Sequence, residues 1–149
     1  MSEFSETPPL PELNPPTATE SGLPPNIAAG LAELFSVIGG VVFYFIEKRN
    51  AFVRFHALQS AYLGALAVAI SLLLPILLTI LAAIPIIGWI VAIIIGIMIP
   101  VATIVYVVVW LIAVVQAFLG KEWEIPWIGK LARRHLAEGL FFYVKSPAL

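Results

Sequence analysis

Residues 47–60 read EKRNAFVRFHALQS (Glu47–Ser60) and lie between two long apolar runs. Lys48, Arg49 and Arg54 mark the point where a chain of membrane crossings must turn. Upstream, residues 27–46 have the length of about 20 residues that a helix needs to cross a hydrocarbon layer. Downstream lie apolar runs at 57–83 and 86–119, separated by IPIIGW, where Pro85 and Gly88 give stop-and-restart signals. Backbone groups left unpaired in lipid are costly, so each run is expected to be helical.

Composition demands a lipid solvent. Of 149 residues, 61% are hydrophobic and 11% charged, whereas soluble domains are about half apolar and about a quarter charged. So short a chain cannot hide that much apolar surface from water. There is no cysteine, which removes disulfides, thiolate metal sites and cysteine nucleophiles. The two histidines, His56 and His135, are not accompanied by a metal-ligand set or a Ser–His–acid arrangement. No glycine-rich phosphate loop is present, and the basic residues are too few and too close to lipid to indicate nucleic acid. The expectation is a non-enzymatic protein without a cofactor.

The chain divides into a tail (1–25), a transmembrane helical domain (26–120) and a basic amphipathic segment (121–149). The tail carries seven prolines, four glutamates and no Lys or Arg, a composition that favours solvated, polyproline-like chain. No cleavable signal pattern is visible. Asn26 is the expected N-cap of the first crossing.

Charge sets the expected threading. Lys48, Arg49 and Arg54 fall in the loop; Lys121, Lys130, Arg133, Arg134 and Lys145 follow the last crossing. Two crossings between these groups put both on one face, which the positive-inside rule makes cytoplasmic. Three transmembrane helices follow, with the N-terminus outside. Continuous helix over 86–119 would be about 51 Å long, so a kink is expected near Gly96 and Pro100. An extra crossing, broken at Pro75 and Pro100, is the alternative.

Small residues recur at fourth positions: Ala32, Ser36 and Gly40; Ala57, Ala61, Ala65 and Ala69; Gly88, Ala92 and Gly96. Such stripes allow close helix approach in lipid, within one molecule or between copies. Trp89, Trp123 and Trp127, with Arg133 and Arg134, are expected interface anchors. From Ile128 onward, apolar positions recur at helical spacing opposite Lys130, Arg133 and Arg134, as in a helix on a membrane surface or folded on the protein's own loop.

Glu33 has two readings, a carboxylate near the outer headgroups or a proton or ion site. His56 and Gln59 share a helical face and read either as a polar gate or as a network fixing the helix start. Gln116 is placed to reach them. Phe52 and Phe55 are expected to dip into the interface beside Arg54.

Together, EKRNAFVRFHALQS, IPIIGW and GKEWEIPWIG (residues 120–129) resemble a family of small bacterial and archaeal membrane proteins of largely unknown function. It includes MamF-like magnetosome proteins and is distantly similar to the Tic-type subunit of plastid protein import. The resemblance spans about residues 26–131. It implies a self-associating scaffold or assembly factor in membrane or organelle biogenesis, with membrane-protein partners. The plastid relatives imply the alternative, a translocation or permeation subunit. The bacterial inner membrane, or one derived from it, is the implied location. Phe52, Arg54, Phe55, His56 and Gln59 are motif positions to which the resemblance attaches no catalytic role.

Overall fold

The computed structural model describes residues 19–145, with side chains as far as Glu138. The tail at 1–18 and the apolar positions Leu140 and Tyr143 lie outside the described residues or side chains. Five α-helices follow in order, with no strand among the described residues: α1 (Pro25–Leu34), α2 (Ser36–Ile46), α3 (Ala51–Ala82), α4 (Ile87–Phe118) and α5 (Ile128–Lys145).

Two helices, α3 and α4, are long and apolar enough to cross a membrane. The crossing expected over 27–46 is instead two short helices. Pro25 opens α1, where a missing N–H costs nothing. The cap position falls on Pro24, so Asn26 is already helical and its side-chain amide donates to the Phe118 carbonyl at 3.0 Å. After Leu34 the chain breaks at Phe35, and Ser36 takes a left-handed φ of 51°. The Ser60 hydroxyl lies 2.9 Å from the Ala32 carbonyl and 3.0 Å from that of Ser36, so its one proton serves acceptors at the break. The bend is tight: a Cβ on Gly39 would stand 2.7 Å from Phe35 Cβ and 2.8 Å from the Ala32 oxygen.

The two ends of this helical pair meet. The Glu47 carboxylate, just past α2, accepts from the backbone N–H of Glu20 at 3.0 Å and of Ser21 at 2.9 Å. The N-terminus expected across the bilayer from the loop lies outside the described residues, and the first of those described lie beside the loop. The physical reason is the break at Ser36, which turns the chain back on itself.

The expected loop shrinks to Glu47–Asn50. Asn50 caps α3 by accepting from Val53 N–H at 3.1 Å, so the motif from Phe52 to Gln59 is helical. Both α3 and α4 run for 32 residues, about 48 Å each, with Pro75 and Pro100 inside continuous helix. Their turn is close: Ile86 has φ 65°, and a Cβ on Gly88 would overlap the Leu81 carbonyl.

The molecule is thick at one end and thin at the other. At the loop end α1 and α2 pack against α3, α1 also against α4, and α5 against α3. The apolar core there joins Ala28, Ala29, Val53 and Ala117, while Phe55 and Leu58 meet Ala132 of α5. Across residues 65–105, only Gly88 is buried.

Candidate functional site

A polar cluster sits inside the thick end. Glu33 of α1 and His56 and Gln59 of α3 are fully buried. Glu33 Oε1 lies 3.2 Å from His56 Nδ1 and accepts from Gln59 Nε2 at 3.3 Å. The Trp110 indole of α4 donates to the Glu33 carbonyl at 3.0 Å. Phe52 and Phe55 set their rings edge-on to His56, with centroids at 4.8 and 5.3 Å. Neither dips away toward an interface as expected. Both pack inward because they fall on the buried side of helical turns.

Gln59 extends the cluster to the chain after α4. Its Nε2 also donates to the Trp123 carbonyl at 3.2 Å, and its Oε1 accepts from Ile125 N–H at 3.1 Å. Those two bonds hold residues 123–125 against α3, so loop and post-α4 segment share one end of the molecule. Gly129 makes the fit possible, since a Cβ there would lie 3.0 Å from Gln59 Oε1.

Glu33, expected near the headgroups or as a proton or ion site, is carried by the folded-back α1–α2 pair to His56 and buried there. An acid–base pair that the sequence did not suggest is therefore present. Glu33 Oε2 and His56 Nε2 are buried without a protein hydrogen-bond partner, and so is Gln116 Oε1. Gln116 makes no bond to His56 or Gln59 among the described hydrogen bonds. With its hydroxyl at the carbonyls of the α1–α2 break, Ser60 is not poised as a nucleophile for the pair. No group of three metal-ligating side chains occurs among the described residues. His135 stands apart, its Nδ1 2.7 Å from the Tyr62 hydroxyl.

Other expected positions separate. Gly40 lies against α3, where a Cβ would meet the Ala57 oxygen at 2.5 Å and the Ala61 nitrogen at 2.6 Å. Ala32 is buried, Ala65 and Ala69 are exposed, Ala92 is half-buried, and Gly96 has nothing within 4 Å of a built Cβ. Trp89 and Trp127 are exposed, and Trp123 is half-buried against Leu63 and Ile125. Arg133 bonds to Glu122 and Glu124 and covers the Phe55 ring; Arg134 is exposed. Arg54 covers the Tyr44 ring at 4.7 Å and donates to the Lys48 carbonyl at 3.2 Å.

Helices alone among the described residues, two of membrane length and a thick end sealed around polar side chains, define a small all-helical membrane protein. The chain belongs to the MamF/MmsF family, the magnetosome magnetite crystal formation protein family, whose model matches residues 25–132. It is similar to two proteins of Methanocaldococcus jannaschii. The UPF0132 membrane protein MJ1443 is 35% identical over 118 residues, covering 78% of this chain and 93% of the relative. The UPF0132 membrane protein MJ1527 is 32% identical over 121 residues, covering 80% and 75%. No solved structure matches. The matched stretch ends at Ala132, past the last residue that Gln59 holds.

Proposed function

We propose that this protein is a non-enzymatic membrane scaffold that crosses the bilayer twice, by α3 and α4, and self-associates through their thin end. In this reading α1 and α2 form a re-entrant pair, and both described ends of the chain lie on the loop side. Lys48, Arg49, Arg54, Lys121, Lys130, Arg133 and Arg134 make that side cytoplasmic by the positive-inside rule.

The observation that carries self-association is the open space at Gly96. At Gly40 a glycine admits a neighbouring backbone within the molecule; at Gly96 there is no neighbour to admit. A shallow apolar groove of about 600 Å³ on α3, lined by Leu66, Ala69, Ile70, Leu73, Leu77 and Ile80, adds a second surface for a facing helix. In lipid, helices are held by close van der Waals contact, which small residues permit.

The test uses the natural absence of cysteine. Gly96→Cys should crosslink to dimers in native membranes, and Gly96→Leu should shift the detergent-solubilised protein to monomer. A wild-type monomer at every concentration overturns the reading. Threading is checked separately with Glu20→Cys, Lys48→Cys and Lys121→Cys, which should all react with an impermeant reagent from one face.

The unspent Glu33 Oε2 and His56 Nε2 favour a second reading, a translocation or permeation subunit with a polar site in its wall. Toward the thin end, the hydroxyls of Ser71, Thr79 and Thr103 are each bonded to the carbonyl four residues back on their own helix. A path would therefore require several copies. Conductance in planar bilayers that changes with His56→Ala is its mark; tight bilayers at high protein density remove it.

A further inference from the structure

We infer that the protein is a membrane wedge, whose α1–α2 pair occupies only the leaflet on the loop side and favours bilayers that are convex on that side. The inference rests on the two-crossing reading and adds to it a partner, the acyl chains and headgroups of one curved leaflet.

Lengths carry the first step. α2 has 11 residues, about 16 Å of helix. A bilayer with its headgroups is about 40–45 Å thick. α3 and α4, about 48 Å each, match that full thickness at an ordinary tilt of about 20°. The α1–α2 pair starts at the loop end, where Glu47 holds Glu20 and Ser21. Its apex reaches Gly64: a Cβ there would stand 2.5 Å from Ser36 Oγ and 2.6 Å from Val37 N. Gly64 is fewer than half the residues along α3, so the pair stops short of the bilayer midplane.

Chemistry carries the second step. The side of α2 turned away from α3 shows Ile38, Val41, Val42 and Phe45, and the apex shows Leu34 and Phe35, all exposed. These side chains need an apolar solvent, and at that depth the solvent is the acyl region of the loop-side leaflet. Lys48 and Arg49 end the same structure in the headgroup layer.

Shape follows. Near Glu33, α1 and α2 lie beside α3 and α4; near Gly96 only α3 and α4 remain among the described residues. At a helix diameter of about 10–12 Å, the extra pair adds on the order of 200 Å² to one leaflet alone. α5, packed on α3 with Lys130 and Arg134 exposed, widens the same end. Expanding one leaflet makes it the convex one, as shallow amphipathic insertions do. With the basic end cytoplasmic, the membrane bulges toward the cytoplasm.

The experiment reconstitutes full-length Lys48→Cys protein into vesicles of mixed size, fractionates them and labels with an impermeant thiol reagent. A wedge puts its thick end outward as vesicles shrink. The outward fraction should rise steadily above its large-vesicle value as vesicle diameter falls. It should do so equally in the Gly96→Leu background, because the wedge is a property of one copy. The combined variant Ile38→Ser, Val41→Ser and Phe45→Ser changes exposed side chains only and should flatten the trend. Val41→Trp should steepen it. A size-independent outward fraction in wild type overturns the wedge while leaving two crossings intact. If Glu20→Cys and Lys48→Cys react from opposite faces of the same vesicles, the two-crossing reading fails, and the wedge falls with it.

Discussion

A carboxyl group without solvent access depends on the few polar partners within reach, and Glu33 Oε1 has two, His56 Nδ1 and the donating Gln59 Nε2. Removing one member of a buried hydrogen-bonded group strands the rest, at a cost of about 1–3 kcal/mol. Glu33→Ala should destabilise the protein by that order in mixed-micelle unfolding, and Glu33→Gln, which keeps an acceptor, by clearly less. Equal losses would mean that volume, not hydrogen bonding, holds the site. Glu47 works differently. Burial pushes its carboxyl up, but hydrogen bonding from Ser21, and then from Glu20, outweighs this and holds it below the ordinary carboxylate value. A carboxyl depressed on folding stabilises fully above its ordinary value and loses that contribution as pH falls through its folded value. Docking of residues 20–21 should therefore loosen on strong acidification, read by amide exchange at Ser21, and Glu47→Gln should abolish the pH dependence.

At the scale of elements, two glycines that look alike in the sequence part company. Gly40→Leu drives a side chain into the backbone of Ala57 and Ala61 and should unfold the monomer. Gly96→Leu meets open space and should leave the monomer's melting unchanged while dispersing oligomers. Running both through size exclusion and thermal unfolding separates the effects. Helical character, the two long apolar helices and the shared end of the basic groups were legible in hydropathy and charge. The break at Ser36 was not: serine is no signal for a positive φ, and the run from Ile27 to Ile46 is long enough to cross. The clue was Glu33 itself. A carboxylate in an apolar run calls for a partner, and His56 with Gln59 can supply one only if α1 folds back toward α3. The network reading of His56 and Gln59 lay in the sequence; its extension to Trp123 and Ile125 did not, because backbone groups leave no residue-type signature.

At the scale of the whole molecule, polar and apolar interests are segregated along one axis. The thick end spends its hydrogen bonds on itself, and the thin end offers apolar surface to lipid. This division explains how a chain with so few charged residues keeps a defined tertiary structure: hydrogen bonds and close packing at one end do what hydrophobic burial does in water.

Gln59 imposes a timetable as well. Its amide waits in α3 from early in synthesis, yet two of its partners, Trp123 and Ile125, emerge only after α4 is complete. Until then an amide that lipid will not solvate stands half-satisfied, and the hairpin has no latch. A chain stopped after Lys121 should insert but stay susceptible to membrane proteases, seen as a short half-life in pulse–chase. Co-expressing residues 120–149 as a separate peptide should lengthen it. Maturation is thereby tied to the segment that follows α4, a checkpoint written in a single side chain.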